Sequence, residues 1–547
     1  WSQLLGIESV GIHDNFFELG GDSILGIQVI AASSQAGLRL LPKQVFQHQT
    51  IAELAAVADT VSVNAEQGNI TGIVPLTPIQ SWFFAQNLAD SHHWNQSIML
   101  EVDKSIPFTW VEQSIQKLLT HHDALRLQFT NTNQNTESGL QQMNADVDNY
   151  IDKQTPLLQF DLSALSAEQQ QSTITKTATQ LQTSLNLATG LVHIAFFKLG
   201  NQNKSNRLLF IIHHLVIDGI SWRILLSDLQ TSFEQLNLSQ QIQLPPKTTS
   251  FKHWAESLQN YSQQIPQETI EYWQNICQIP EIHIPVDYPQ GNNTVATTDT
   301  VSITFTAEET QALLQQVPTA YQTQINDVLL TALVQTFENW TSEKRLLIDL
   351  EAHGREDLFN EIDISRTVGW FTTMFPVLLD LDIENYTQKE TISNLKTIKE
   401  QLRQIPNRGI DYGILRYLGN PEIQTQLSRI SPQIRFNYLG QVDGVFAEST
   451  LVKPAKESTG TVRSKHGNRD ILIEINSIIS AGELRLDWIY STAVHRRNTI
   501  INLTEEYMKA LRNLIQLCCN EIGGYTPSDF SQMQLSQDEL DDILDDL

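Results

Sequence analysis

The sequence predicts a small all-helical unit over residues 1–60, followed by a much larger region built from two α/β lobes. Residues 1–60 place apolar side chains at helical spacing behind capping signals. From Val74 onward, short β-branched runs alternate with helical patterns. This second region exceeds the roughly 250–300 residues at which a single hydrophobic core stops growing, so we expect two lobes there.

Charge and hydropathy exclude several classes of function. The formal net charge is −27, from 35 basic and 62 acidic residues, and no cluster of Lys and Arg is interleaved with aromatics. Both features argue against binding to nucleic acid or to anionic lipid. The best apolar run, "LLFII" (208–212), is only strand-sized, and the chain shows no signal peptide, so no membrane segment is predicted.

Cysteine is rare, with only Cys277, Cys518 and Cys519 present. So few cysteines predict that there is no disulfide framework and that the protein resides in the reducing cytoplasm. The three cysteines do not have the spacing of zinc ligands. We expect the three to be small buried hydrophobic residues. The chain begins at Trp1 without Met, which predicts that it is part of a longer polypeptide.

The first clear helix of the N-terminal unit is predicted in "SILGIQVIAASSQAG" (23–37). Ile24, Ile27, Ile30 and Ala31 share one face, and Gly37 is a stop signal. A further helix is predicted in "TIAELAAVA" (50–58), where Thr50 and a glutamate three residues later form a capping-box pattern.

The unit is expected to lack part of its first helix, and a polar, glycine-containing linker is predicted over residues 61–73.

The large region is expected to divide into an N-lobe at about 74–255 and a C-lobe at about 256–525. Within it, "RLLFIIHHLVI" (207–217) predicts a buried strand and "SWRILLSDLQTSFEQL" (221–236) an amphipathic helix. "KRLLIDLEAHGRE" (344–356) predicts a strand running into a polar loop, and "TISNLKTIKEQLRQI" (391–405) another helix.

Residues 526–547 form an acidic tail in which Ser536 is a candidate helix cap. One side of the predicted helix is apolar and the other is acidic, formed respectively by Leu540, Ile543, Leu544 and Leu547 and by Asp541, Asp542, Asp545 and Asp546. The tail is predicted to be either a solvated linker helix or a segment that docks on a neighbouring protein domain.

The stretch "GGDSI" places Ser23 at the start of a helix, behind Gly20 and Gly21, with Asp22 as the N-cap. The free N–H groups and the helix dipole at this end stabilise anions, so a phosphate ester on Ser23 would be favoured. From these few residues alone, an ordinary serine at a helix start is the favoured interpretation.

The longer string "VGIHDNFFELGGDSI" (10–24) resembles the signature of the peptidyl carrier, or thiolation, domains of nonribosomal peptide synthetases. The resemblance implies a four-helix bundle whose Ser23 carries 4′-phosphopantetheine, attached by a phosphopantetheinyl transferase. The thiol of that arm would hold an amino acid or peptide as a thioester. Asp22, in place of His, is similar to carriers that precede an epimerization domain.

Three His–His pairs raise the question of a metal site: His92–His93, His121–His122 and His213–His214. None belongs to an H-E-x-x-H motif or a Cys/His ligand set. Adjacent residues on a strand point to opposite faces, so one pair does not readily chelate one ion. No metal is therefore predicted.

The pair in "HHLVIDGISW" (213–222) differs because the predicted strand breaks into a loop directly after it. Asp218 and the flexible Gly219 follow. A histidine at such a strand end can serve as a general acid or base near neutral pH, and Asp218 can pair with a buried cation. From these residues alone, a buried structural histidine remains the alternative.

The stretch resembles the HHxxxDG motif of the condensation-domain superfamily, which shares the two-lobed chloramphenicol-acetyltransferase-like fold. The resemblance implies that His214 is catalytic and that His213 and Asp218 are structural at the active site. It also implies that Arg355, in "HGR", forms the salt bridge to Asp218.

Further motifs place the chain in the epimerization branch of that superfamily, and the resemblance spans residues 74–524. "EAHGRE" (351–356) resembles the branch's EGHGRE motif, with Ala352 where glycine is usual. The other matching stretches are "PLTPIQSWFF" (75–84), "HWNQS" (93–97), "DGISWRIL" (218–225), "RTVGWFTTMFPV" (366–377) and "FNYLGQ" (436–441).

This resemblance implies epimerization of the α-carbon of a carrier-bound aminoacyl or peptidyl thioester. A proton must leave one face of that carbon and another must arrive on the opposite face, which suits two acid/base groups. His214 and Glu351 are the candidates, with Glu356 as the alternative carboxylate and the Tyr438 hydroxyl as a further contributor.

The expected partners are an upstream adenylation domain and a downstream condensation domain or next synthetase. Two other functions remain open at this point: a condensation domain that forms a peptide bond, and an inactive module that only docks carriers.

Overall fold

The computed structural model describes residues 1–60, 65–131, 140–146, 156–200, 205–381, 389–442, 451–520, 523–530, 537, 539, 540 and 543. The N-terminal unit contains the four expected helices together with a short antiparallel strand pair that the sequence pattern did not predict. These elements are α1 (Ser2–Leu5), α2 (Ser23–Gln35), β1 (Leu38–Arg39), α3 (Pro42–Gln47), α4 (Ile51–Val57) and β2 (Asp59–Thr60).

Local signals explain where these helices begin. The Asp22 carboxylate accepts a hydrogen bond from the Leu25 N–H at 2.8 Å, which satisfies one of the free donors at the start of α2. Thr50 and Glu53 form the predicted capping box of α4. Ile24, Ile27 and Ile30 are buried, as the apolar face of α2 requires.

The first part of the large region is a mixed α/β lobe. Its elements are β3 (Gly72–Val74), α5 (Pro78–Ala85), β4 (Asn95–Asp103), α6 (Phe108–His121), β5 (Leu127–Asn131), β6 (Leu140–Asn144), β7 (Leu157–Asp161), α7 (Ala167–Gln182), β8 (Val192–Lys198), β9 (Ser205–His213) and α8 (Gly219–Asn237). The predicted strand over 207–217 therefore ends at His213. A 3-10 turn over His214–Val216 follows, because Asp218 then caps α8 and redirects the chain.

The second part is also α/β and contains a long central sheet. Its helices are α9 (Phe251–Tyr261), α10 (Gln267–Ile276), α11 (Ala307–Gln311), α12 (Val317–Tyr321), α13 (Ile325–Thr341), α14 (Lys389–Arg403), α15 (Ile410–Leu418), α16 (Pro421–Leu427) and α17 (Arg497–Asn520). Its strands are β10 (Thr298–Thr304), β11 (Arg345–Ala352), β12 (Thr373–Asp380), β13 (Ile434–Gln441), β14 (Val452–Pro454), β15 (Ile473–Ser480) and β16 (Glu483–Ser491).

The two lobes are not two consecutive segments of the chain. The N-lobe sheet has the order β14-β4-β9-β8-β7, so a strand from residues 452–454 joins it, and β3, β6 and β5 form a separate small sheet. The C-lobe sheet has the order β10-β16-β15-β13-β11-β12. The boundary expected near residue 255 falls inside α9, because the chain crosses between lobes through helices and not through a polar linker.

The described part of the C-terminal tail begins as a packed segment of the C-lobe. The Gly524 N–H donates to the Ala320 carbonyl at 2.9 Å, and the buried Lys399 ammonium pairs with Asp529 at 2.6 Å. Of the predicted apolar side, Leu540 is buried and Ile543 is exposed. Ser536, Leu544, Leu547 and the four aspartates lie outside the described residues. None of the described helices is both long and apolar enough to cross a membrane.

Candidate active site

His214 lies where β9 ends and the 3-10 turn begins. Its Nδ1 lies 2.8 Å from the Ile217 carbonyl oxygen, which can only accept, so Nδ1 carries the proton and Nε2 keeps a lone pair. Burial lowers the pKa of His214 to about 4. The ring packs on Trp370 with 4.3 Å between centroids. His214 is therefore a neutral imidazole with a basic nitrogen.

His213 is fully buried and has a different environment. Its Nε2 donates to the Ser91 carbonyl at 2.9 Å, and its Nδ1 accepts from the Leu215 N–H at 3.2 Å. Burial lowers the pKa of His213 to about 3. Both ring nitrogens are occupied, so this histidine fixes the turn that presents its neighbour.

Asp218 and Arg355 join the two lobes beneath His214. The Asp218 carboxylate accepts from the Ser221 N–H at 2.7 Å, from the Phe371 N–H at 3.1 Å and from the Arg355 guanidinium at 3.3 Å. Arg355 is buried and also donates to the Ile364 carbonyl at 2.6 Å. The expected salt bridge is thus present, and it ties the cap of α8 to the loop after β11.

Glu351 lies near the end of β11, and in the described part of the chain its carboxyl group forms no hydrogen bond or ion pair. Burial raises the pKa of Glu351 to about 7, against the opposing charge of Arg435. The alternative carboxylate, Glu356, is engaged with His353 at 3.6 Å and with Arg408 at 3.9 Å. Glu356 is thus held by neighbouring side chains, whereas Glu351 has no such partner among the described residues.

Arg463 connects the surroundings of His214 and Glu351. Its backbone forms an isolated antiparallel β-bridge with Trp94. The Trp94 carbonyl accepts a hydrogen bond from the His214 backbone N–H at 2.9 Å. The positive charge of Arg463 lowers the pKa of both His214 and Glu351, so both groups lie within the range of this charge.

The helical unit rests on the C-lobe with Ser23 at the junction. The Tyr438 hydroxyl donates to the Asp22 carboxylate at 2.9 Å, and the Gln441 amide donates to the Gly20 carbonyl at 2.8 Å. Burial raises the pKa of Tyr438 well above its usual range, so it stays a hydrogen-bond donor. Its hydroxyl thus meets the residue before Ser23, and its predicted role in proton transfer stays a prediction.

The residues around Ser23 fit the expected 4′-phosphopantetheine group. Ser23 lines a small cleft with Thr323 and Asn326. The Thr323 hydroxyl and the side-chain amide oxygen of Asn326 are buried without a hydrogen-bond partner among the described residues. Buried polar atoms without partners are costly, and the amides and hydroxyl of a pantetheine arm could satisfy them.

One cluster in the described residues has ligand atoms close enough for a metal ion: His121, His122 and Asp228. His122 Nε2 lies 2.9 Å from one Asp228 oxygen, and the Arg366 guanidinium bonds the other oxygen. Both carboxylate oxygens are therefore already engaged, and the cluster is explained as a buried ion-pair network.

Sequence reasoning missed three residues beside His214. Gln96 and Trp370 lie inside stretches that were recognised as motifs, but those stretches carried no signal of contact with His214. Arg463 lies in no recognised motif. Its contact with Trp94 spans more than 350 positions of the chain, which no local pattern reports.

Comparisons with known proteins agree with this architecture. The condensation-domain family model matches residues 70–536, and the phosphopantetheine attachment site model matches residues 1–58. A linear gramicidin synthase protein of Brevibacillus parabrevis is 44% identical over 99% of this chain, which is 10% of that protein. Tyrocidine synthase 2 of the same organism is 39% identical over 100% of this chain, which is 15% of that protein. The chain therefore spans only a small part of these relatives.

Solved structures show the same two-lobed fold. The epimerization domain from the third module of tyrocidine synthetase B is 36% identical with a TM-score of 0.74, over 83% of this chain and 98% of that domain. The X-domain from teicoplanin biosynthesis is 16% identical with a TM-score of 0.62, over 83% of this chain and 97% of that domain, and shows the fold alone. Because the first family model covers most of its length, the chain belongs to the condensation-domain family and carries a phosphopantetheine attachment domain at its N-terminus.

Proposed function

We propose that this chain epimerizes the α-carbon of an aminoacyl or peptidyl group held as a thioester on the phosphopantetheine arm of Ser23. The observation that carries the proposal is the pair formed by His214 and Glu351. His214 is a neutral base, and burial raises the pKa of the Glu351 carboxyl group so that it can hold a proton near neutral pH. The 36% identity over nearly all of a solved epimerization domain supports it.

The two side chains complement each other chemically. The thioester carbonyl acidifies the neighbouring C–H bond, because the electron pair left by the proton is delocalised onto oxygen. The lone pair on His214 Nε2 accepts that proton, and protonated Glu351 delivers its own proton to the opposite face of the carbon. In the reverse reaction, the Glu351 carboxylate removes the proton and the His214 imidazolium returns one to the opposite face. Neither direction therefore consumes a co-reactant.

The substrate side chain is proposed to occupy a cavity that neither His214 nor Glu351 lines but that their neighbours do. A cavity of about 240 Å³ lies against Trp370, which packs on His214, and is also lined by Trp82, Met374 and Pro376. Asp349, two residues before Glu351 on the same strand face, reaches its wall. The wall also carries the charged side chains of Arg416, Arg435 and Asp470, so the cavity combines apolar and polar surfaces.

The chain needs partners for a complete cycle. We propose that a phosphopantetheinyl transferase modifies Ser23, that an upstream adenylation domain loads it, and that a downstream condensation domain or next synthetase takes the product. A cytoplasmic location fits three cysteines that form no disulfide.

The test loads the 547-residue chain with L-aminoacyl-pantetheine, using coenzyme A thioesters of alanine, valine, leucine and phenylalanine. After incubation in D₂O, the amino acid is released, and its chirality and α-deuterium content are measured. A mixture of D and L forms with deuterium uptake is expected. Absence of both for every substrate would exclude epimerase activity and leave a docking module. Peptide formation with an aminoacyl acceptor would instead identify a condensation domain.

A further inference from the structure

A chain of two hydrogen bonds reaches His214 from a residue that the mechanism above does not use. The Trp222 indole N–H donates to the Gln96 Oε1 at 2.6 Å. The Gln96 Nε2 lies 2.9 Å from the His214 Nε2. Gln96 stands on β4 beside the end of β9, and Trp222 lies in the first turn of α8, so three separate elements meet at this point.

The direction of both hydrogen bonds follows from chemistry at the two ends. An indole N–H can only donate, so the amide must turn its oxygen toward Trp222 and its NH₂ group toward His214. At the other end, His214 Nδ1 donates to a carbonyl, which leaves Nε2 as an acceptor. The two constraints agree, so the amide NH₂ of Gln96 is aimed at the nitrogen that takes the substrate proton.

We propose that the Gln96 amide, held by the Trp222 indole, is a catalytic hydrogen-bond donor to the thioester carbonyl oxygen, a role that deepens the proposed epimerase function. When the α C–H approaches His214 Nε2, the carbonyl oxygen lies two bonds from that carbon. Protonation removes the Nε2 lone pair that faces the Gln96 amide in this structure, so the NH₂ group needs another acceptor, and the substrate supplies this oxygen. Trp222 is the positioning residue, because it acts on the substrate only through Gln96.

The donor acts where charge develops. As the C–H bond breaks, its proton moves to His214 Nε2 and its electron pair forms the enolate double bond. The carbonyl π pair moves onto oxygen, where the Gln96 N–H meets it. When Glu351 donates its proton to the opposite face, the carbonyl is restored. A fixed donor at a developing oxyanion typically contributes about 10²–10³-fold in rate.

The first arm of the test measures single-turnover deuterium exchange on the loaded, full-length chain. Gln96→Ala and Gln96→Met should each slow exchange by about 100-fold, because both remove the donor. Trp222→Phe should slow it about tenfold, because the amide loses its anchor. Gln128→Ala and Trp110→Phe, which change a surface glutamine and a remote tryptophan, should leave the rate unchanged. Rates within about threefold of wild type in both Gln96 variants would overturn the inference.

The second arm needs loading but no turnover, so it separates this inference from the proposed function. The thioester carbonyl is labelled with ¹³C, and its NMR resonance lies outside the range of peptide carbonyls. A hydrogen bond from Gln96 moves that resonance downfield in the wild-type chain, and Gln96→Ala should abolish the shift. Identical resonances in the two chains would contradict the inference even if the wild type epimerizes. The shift would stand even if exchange were absent, in which case only the proposed function would fail.

Discussion

At the residue scale, one physical cause acts in opposite directions on the two acid/base groups. Burial penalises charge, so it lowers the pKa of His214 to about 4 and raises the pKa of Glu351 to about 7. Between these two pKa values, His214 Nε2 is unprotonated and the Glu351 carboxyl group carries its proton. This is the form that can both accept and deliver a proton at carbon.

The pH dependence of exchange follows from these two values. The rate constant should be highest between about pH 4 and pH 7 and should fall as pH rises through about 7, because Glu351 then loses its proton. Single-turnover exchange measured from about pH 5.5 to pH 9 should show this fall in the rate constant. Glu351→Gln should abolish the fall and should slow exchange by about 10²–10⁴-fold. A rate that is flat over this range would argue against Glu351 as the acid.

The contact between Asp22 and Tyr438 gives a second prediction at this scale. Asp22→Asn keeps the helix cap but weakens a charge-assisted hydrogen bond of about 1.5 kcal/mol, so exchange should slow about tenfold. Tyr438→Phe should slow exchange by a similar factor, because it removes the donor of the same hydrogen bond.

A double-mutant cycle checks the origin of the effect. If Tyr438 acts through Asp22, the double variant should be little slower than either single variant. Additive losses would instead assign the Tyr438 hydroxyl a separate role in proton transfer. Loading of Ser23, measured by mass spectrometry, serves as the control that modification is unaffected.

At the element scale, the position of His214 depends on how the turn after β9 is held. Asp218 caps α8 and is bound by Arg355 from the C-lobe, so the same carboxylate fixes the start of a helix and links the lobes. Arg355 is buried, and removing its partner leaves a charge without compensation.

Asp218→Asn should therefore lower the free energy of unfolding by about 3–5 kcal/mol, because breaking a buried ion pair is costly. Urea denaturation followed by fluorescence measures the loss. The matched control is Asp161→Asn, which changes the exposed ion pair between Asp161 and Lys198 and should leave the free energy of unfolding nearly unchanged, because water screens an exposed pair. Equal losses in the two variants would contradict the structural role of Asp218.

At the scale of the whole molecule, the helical unit docks with Ser23 against the C-lobe through a close approach at Gly440. The backbone there has φ of +76°, and a Cβ atom would lie 2.7 Å from the Cδ1 atom of Ile24. Around this point, the Arg408 guanidinium lies 3.6 Å from the centre of the Phe46 ring, and Ser34 bonds Asp363 at 3.2 Å. A side chain at this position would therefore force Ile24 to shift where β13 meets α2.

Gly440→Ala should slow exchange on the loaded chain by more than about tenfold, because the methyl group collides with Ile24. Gly482→Ala is the control: its φ is +74° and a Cβ would meet nothing within 4 Å, so it adds only the backbone strain of about 1 kcal/mol. Ile24→Ala should partly rescue Gly440→Ala. If both glycine variants slow exchange equally, strain and not docking is responsible.

Local patterns in the sequence predicted the helical unit, several of the main helices and strands, and the motif residues His214, Asp218, Glu351 and Ser23. These rest on short-range patterns, such as the cap at Asp22 and the apolar spacing of α2, whose physics acts over one or two turns. The choice of Glu351 over Glu356 stays a prediction; among the described residues, Glu356 has ion-pair partners and Glu351 has none.

Contacts between residues that are distant in sequence could not be predicted in this way. The strand at 452–454 joins the N-lobe sheet, the Tyr438 hydroxyl reaches Asp22, and Trp222 orients Gln96 across 126 positions of the chain. Such contacts depend on how the lobes and the helical unit pack, because a side chain's partners are set by the fold and not by its neighbours in sequence. The environment that moves the pKa values of His214 and Glu351 also arises only when the lobes close around them.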